Sequence, residues 1–276
     1  MRIIDPHVHV WINDPAFPWA DQTTNPPAED RTPQTLIELM DAHGVEKTVL
    51  VQVIFYRWDN RYIAHVARQH SDRFMAVGRV DPEDPAAPDH LSDWTINHGL
   101  HGVRISPAED ASGDWLTGSL MAPLFGRAQQ LGVPMLILTG PSRLPDLPPL
   151  LEKHGDLDVV IDHMADVHPN DTHGRRNLMV LARFDHVYVK ISHTWSISNQ
   201  PYPWTDTHDL VNEVYQTFGP QRIMWATDWP VCLAEAEYGQ TLSAVRDQMS
   251  FITSEDLAWV LGKTALNLWP FGKSGQ

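Results

Sequence analysis

A chain of 276 residues that is 42% hydrophobic is long for a β-sandwich and close to the ~250 residues of a single (β/α)8 barrel. Its 20 Lys and Arg against 35 Asp and Glu leave a net charge of −15, which argues against nucleic acid or an anionic membrane as partner. A single cysteine, Cys232, excludes an intrachain disulfide. With no apolar run of signal-peptide or membrane-spanning length, the expected location is the cytoplasm.

The first predicted strand is Ile3-Ile4-Asp5-Pro6-His7-Val8-His9-Val10-Trp11. Side chains alternate along a strand, so His7 and His9 share a face ~6.6 Å apart, while Val8 and Val10 share the other. Two imidazoles so placed can close on one ion, although two hydrogen-bonded histidines on a buried edge strand give the same pattern. Residues 12–31 form a loop rich in Pro, Asp, Asn and Trp, and loops of that length in compact domains are usually functional. Thr32 reads as a helix N-cap with Pro33 in the first turn, Leu36, Leu39 and Met40 on one apolar face, and Gly44 as the stop. The β-branched run Thr48-Val49-Leu50-Val51-Gln52-Val53 predicts a strand buried on both faces.

The same alternation continues. Strands are predicted near 74–80, 102–106, 133–139, 157–162, 186–191 and 222–227. Helices fall around 60–70, 85–97, 119–131, 145–154, 174–184 and 207–218. Eight short apolar strands alternating with helices imply parallel pairing and a closed (β/α)8 TIM barrel. A last helical stretch, 238–268, is expected to cover the outside after the eighth strand. No boundary or repeat interrupts the pattern, so residues 1–276 read as one domain.

Reactive groups of such barrels sit at the carboxyl ends of the strands. The first strand delivers His7 and His9, the fourth Arg104 and the sixth His163. The seventh delivers Lys190, Ser192 and His193, and the eighth, running into Thr227-Asp228-Trp229-Pro230, delivers Asp228. Three histidines and an aspartate at one mouth form a ligand set for one divalent ion of the zinc type, with water in the open position. Asp228 is the carboxylate placed to take that water's proton. Each residue also has a plainer reading. Asp228 could cap the next helix and His163 could be a satisfied core histidine. His193 and Lys190 could be an ordinary loop histidine and a partly buried lysine, and Arg104 could serve a salt bridge in the barrel wall.

With Asp5-Pro6-His7-Val8-His9-Val10-Trp11, Asp59-Asn60-Arg61-Tyr62, Gly102-Val103-Arg104, Asp162-His163 and Thr227-Asp228-Trp229-Pro230-Val231, the chain resembles the amidohydrolase superfamily over nearly its whole length. The likeness is to its lactonase-like branch, whose members act on pyrone dicarboxylates and sugar lactones. The resemblance implies hydrolysis of a small lactone. His7, His9 and His163, with Asp228, would hold one divalent ion, zinc first and manganese second, or polarise the carbonyl without a tightly held ion. Asp228 would activate water, with His163 and His193 as further catalytic groups, and Arg104 would hold a substrate carboxylate. Lys190, Trp195, Tyr202 and Trp11 are the other expected substrate contacts.

Two departures qualify this. The fifth strand, Pro134-Met135-Leu136-Ile137-Leu138-Thr139, lacks the lysine or histidine of binuclear relatives, which disfavours two ions. Residues 193–204 contain no arginine but carry His193, Trp195, Tyr202 and Trp204, which suits a substrate with fewer charges and more ring surface. The rivals are a metal-dependent decarboxylase of a small aromatic or unsaturated acid and a catalytically silent ligand-binding barrel. The expected partner is a small molecule, and homo-oligomerisation is left open.

Overall fold

The computed structural model describes residues 1–106 and 115–271. Its eight strands are β1 (Ile4–Val8), β2 (Lys47–Val51), β3 (Phe74–Arg79), β4 (Val103–Ile105), β5 (Met135–Ile137), β6 (Val159–Ile161), β7 (Val187–Lys190) and β8 (Ile223–Met224). They lie in sequence order in one parallel sheet. Every strand falls where the apolar runs placed it, giving the expected (β/α)8 architecture.

The connecting helices include α1 (Pro33–His43), α2 (Arg61–Gln69), α3 (Ala87–Ile96), α4 (Met121–Leu131), α5 (Pro148–Lys153), α6 (Thr172–Val180), the short α7 (Thr194–Ile197) and α8 (His208–Phe218). The limits of α1 follow from local chemistry. The Thr32 side chain accepts from the Thr35 amide, Pro33 pre-sets the first turn, and Gly44 ends the helix at φ 70°, a conformation costly for residues with a Cβ. Leu36 and Met40 are the buried stripe.

Alternate strand residues divide the core in two. Ile4, Val49, Val51, Met75, Val77, Leu136, Val160 and Met224 fill the barrel interior. Their outward-facing neighbours, such as Leu50, Ala76, Val103 and Ile161, pack with the helices. The stretch after β8 departs from expectation. It forms α9 (Tyr238–Ser243), α10 (Ser254–Ala258) and α11 (Thr264–Leu268), separated by wider turns at 244–248 and 259–263. Ala265, Leu268 and Trp269 pack with the interior layer, so the end of the chain closes the barrel floor rather than covering its outside. Gly262 permits this, because a Cβ there would stand 2.3 Å from the Arg2 carbonyl oxygen.

The sheet closes without a regular ladder between β8 and β1. The Asp228 amide donates to the His7 carbonyl (3.0 Å) and the His9 amide to the Trp229 carbonyl (2.7 Å). The buried Asp5 carboxylate accepts from the Thr227 amide (3.1 Å) and Thr227 Oγ1 (2.6 Å).

Candidate active site

The seam between β8 and β1 brings His7, His9 and Asp228 together. The His7 and His9 rings lie 5.1 Å apart and nearly perpendicular. His9 Nε2 is 3.0 Å and His7 Nε2 3.5 Å from Asp228 Oδ1. On the other oxygen, Oδ2, sits His193 Nε2 at 2.7 Å, and His193 Nδ1 meets Asp166 Oδ1 at 2.8 Å. His163 stacks flat on His193, with centroids 3.6 Å apart, and its Nδ1 lies 2.8 Å from Ser192 Oγ.

Backbone strain places several of these groups. Asp228 and His193 adopt φ of 57° and 62°, and residues 163–166 form a left-handed turn at φ 53°, 53°, 55° and 50° with no glycine among them. Each such residue costs about 1–2 kcal/mol, and strain of this kind gathers where function requires one geometry. Here the turn swings Asp166 back to His193.

A second layer lies beneath. Fully buried Asp162 takes Lys190 Nζ at 2.9 Å on Oδ1 and Arg104 Nε at 2.8 Å on Oδ2. Lys190 Nζ also stands 2.8 Å from His7 Nδ1. Two cations on one carboxylate leave this layer with a net positive charge directly under the histidines.

The electrostatics follow from these contacts. Burial would raise Asp228, but His163, His193 and His9 outweigh it and hold its carboxyl well below the ordinary value. Asp162 is likewise held far down against burial by Lys190, His7 and Arg104. Burial, reinforced by Lys190, drops His7 to about 3, and burial together with the His193 charge pushes His163 well down. His193 goes the other way: burial would lower it, yet Asp166 and Asp228 bring it up to about 9. Neutral His7 and His163 therefore sit beside an imidazolium clamped by two carboxylates.

The donor set suits a divalent ion. Among the described residues, three His/carboxylate groups have ligand atoms within 4.8 Å of one another: His7, His9 and Asp228; His163, His193 and Asp228; and His7, Asp162 and His163. The expected quartet His7, His9, His163 and Asp228 is thus divided, with Asp228 shared by two groups. His7 Nε2 and Asp228 Oδ1 are buried without hydrogen-bond partners among the described residues, a cost of ~1–3 kcal/mol each that a bound ion would relieve. His9 Nδ1 faces the Val51 carbonyl at 2.6 Å, so it carries the ring proton and leaves Nε2 free to ligate. His7 ligates only when Lys190 does not donate to its Nδ1. Burial lowers Lys190, and the Asp162 carboxylate opposes that shift.

The other expected residues have different placements. Arg104 and Lys190, anticipated as substrate contacts, are 5% and 0% exposed and are occupied by Asp162 and His7. Trp11 is buried, its Nε1 donating to the Glu29 carbonyl, and so belongs to the loop of residues 12–31. Trp195, Tyr202 and Trp204 line a cleft of about 680 Å³ beside His193. Tyr202 OH bonds Ser243 Oγ at 2.8 Å. The sequence reading gave no role to Asp162, although its inward phase on β6 next to His163 was a usable signal. It also missed Asp166, for which a left-handed turn without glycine leaves no signal.

A parallel (β/α)8 barrel carrying histidines and an aspartate at the carboxyl ends of β1, β6, β7 and β8 defines a hydrolytic barrel of the amidohydrolase type. The Amidohydrolase family model matches residues 4–271, and the chain belongs to that family. It is 28% identical over 242 residues to the L-fucono-1,5-lactonase of Burkholderia ambifaria, covering 86% of this chain and 83% of that one. It is 26% identical over 232 residues to the 4-sulfomuconolactone hydrolase of Rhizobium radiobacter, covering 82% and 75%. Among solved structures, an amidohydrolase from Burkholderia multivorans with bound zinc superposes with a TM-score of 0.82 at 23% identity, over 98% of this chain and 100% of that one.

Proposed function

We propose that the protein is a lactonase that opens a small lactone by water attack on its ring carbonyl. The observation that carries this reading is Asp228 Oδ1, a buried carboxylate oxygen without a hydrogen-bond partner among the described residues, set between His7 and His9. Relatives named as lactone hydrolases support it.

Asp228 accepts the proton of the attacking water through Oδ1 while His193 fixes its other oxygen. The charge that develops on the carbonyl oxygen is met by the histidines and by the positive layer of Lys190 and Arg104 below them. The ring C–O bond then breaks, and the proton held by Asp228 passes to the departing alkoxide, giving a hydroxy acid. His7, His9 and Asp228, with His163 alongside, would hold a divalent ion of the zinc type, which when bound supplies Lewis-acid polarisation of the carbonyl.

The test is hydroxy-acid release from a panel of γ- and δ-lactones by wild type and Asp228→Asn. General-base catalysis contributes ~10²–10⁴-fold, so kcat should fall by at least ~10²-fold in a protein that still folds, because the amide is nearly isosteric with the carboxylate it replaces, although stability falls as His193 loses one of its two carboxylates. Wild-type rates in Asp228→Asn would refute the base assignment. Release of carbon dioxide from aromatic acids, with no lactone opened, would make the enzyme a decarboxylase instead.

A further inference from the structure

Arg79 ends β3 at the same end of the barrel as the histidines. It continues the inward phase of Met75 and Val77, and its Cα pairs across the ladder with Arg104. The residue is 1% exposed, yet no carboxylate lies within ion-pairing distance of it among the described residues. Its guanidinium donates through one terminal nitrogen to the Ser106 carbonyl (2.9 Å) and lies 5.2 Å over the Trp58 ring. Its Nε is buried with no hydrogen-bond partner among the described residues.

The local fold is built to hold this residue. Both ends of the fully buried Asn60 side chain grip its backbone, Oδ1 accepting from the Arg79 amide at 2.8 Å and Nδ2 donating to the Arg79 carbonyl at 2.9 Å. Gly78 is what lets Asn60 approach, since a Cβ there would meet Asn60 Oδ1 at 3.0 Å and Leu100 Cδ1 at 2.3 Å. Arg104, the neighbouring arginine, already has Asp162 on its Nε, and Lys190 shares the same carboxylate. Of the buried cations in this inner layer, Arg79 is thus the one without a counter-ion among the described residues.

We propose that Arg79, rather than Arg104, receives an anionic group of the substrate, and that the lactone opened here carries a carboxylate remote from its ring carbonyl. A buried guanidinium without an anion is costly, and the cation–π contact and one carbonyl compensate it only in part. Its unpartnered Nε is one arm of the fork that binds a carboxylate bidentately. Burial and the charges of Arg104 and Arg57 bring Arg79 down to about 9, so it still carries its proton at neutral pH. The inference rests on the lactonase reading for the shape of the ligand but not for its charge.

Calorimetric titration with monomethyl glutarate, which keeps one carboxylate remote from an ester carbonyl, and with dimethyl glutarate, which has none, tests it, because binding needs no turnover. Wild type should bind the monoester at least tenfold more tightly than the diester. Arg79→Met should remove that preference, and Arg79→Lys should keep part of it. No measurable binding of the monoester, equal affinity for both compounds in wild type, or an undiminished preference in Arg79→Met would overturn the proposal. If Arg79→Met does not fold, the wild-type comparison and Arg79→Lys decide. A protein that shows the preference yet opens no lactone would sink the lactonase reading and leave the anion site standing.

Discussion

Replacing Asp162 by Asn tests whether the layer under the histidines is held by charge. Asp162 is fully buried and serves Lys190 Nζ at 2.9 Å and Arg104 Nε at 2.8 Å, with His7 Nδ1 at 3.3 Å. Asn would keep the shape and one acceptor oxygen but remove the carboxylate these two cations share. Breaking a buried ion pair from one side costs about 3–5 kcal/mol, because the remaining charge is left uncompensated. A loss in that range is expected at pH 7, read from urea unfolding followed by the emission of the eleven tryptophans, with unchanged m. The loss should shrink as pH rises. Burial already lowers Lys190 against the opposing Asp162, so removing Asp162 lowers it further, the unfolded chain then binds more protons up to the ordinary 10.5, and stability climbs with pH toward that value. Lys190→Met combined with Asp162→Asn should be less damaging than Asp162→Asn alone. A loss below about 1 kcal/mol at pH 7, or one that does not shrink toward pH 10, would refute the reasoning.

Other outcomes are also fixed by the geometry. His9→Ala should strip a divalent ion from purified protein, measured by metal analysis, since His9 Nε2 is free to ligate; full retention of the ion would move the site elsewhere. In chelator-treated protein, stability should peak near pH 6.5, the ordinary histidine value. Below it, the unfolded chain takes up protons that buried His7 refuses down to about 3 and that His163 also refuses. Above it, the contribution of His193, raised to about 9 by Asp166 and Asp228 against burial, is lost as pH climbs through that value. Asp166→Asn should therefore flatten the alkaline side of the pH–stability curve, and an unchanged slope would show that the clamp on His193 is inert. The acid limb of kcat/KM should lie below 3.8 if Asp228 alone sets it; a limb nearer neutrality that moves with the added metal would assign it to bound water.

The barrel was legible because its strands are short apolar runs and its helices begin and end on strong local signals, Thr32 and Gly44 being the clearest. The site was legible as far as strand ends go, since inward phase places Arg104, Lys190 and Asp228 on the inner surface, whereas His7 and His9 share a face but reach it only through the register shift between Asp5 and Val8. What sequence could not decide is which of two inward arginines is already paired. Arg79 and Arg104 lie side by side on β3 and β4, and only the approach of Asp162 from β6 separates them. Nor could it foresee Asp166, because four successive non-glycine residues at positive φ run against every local preference. The floor was misread for a related reason: an amphipathic stretch such as 254–268 shows that it packs, not against which surface.

The seam that closes the barrel is also the seam that carries the chemistry. Between β8 and β1 the strands exchange few bonds, and those present run through the site itself: Asp228 amide to His7 carbonyl, His9 amide to Trp229 carbonyl, and Thr227 to the Asp5 carboxylate. Burial pushes Asp5 up to about 7 even though it also accepts from the His7 amide and Tyr238 OH. Such an anchor holds one geometry firmly, because its acceptors have no water to turn to if the seam slips. The positive φ of Asp228 can persist only because the groups on either side are fixed in this way. Loosening Asp5 should therefore reach the reacting carboxylate through the backbone before it reaches the fold as a whole.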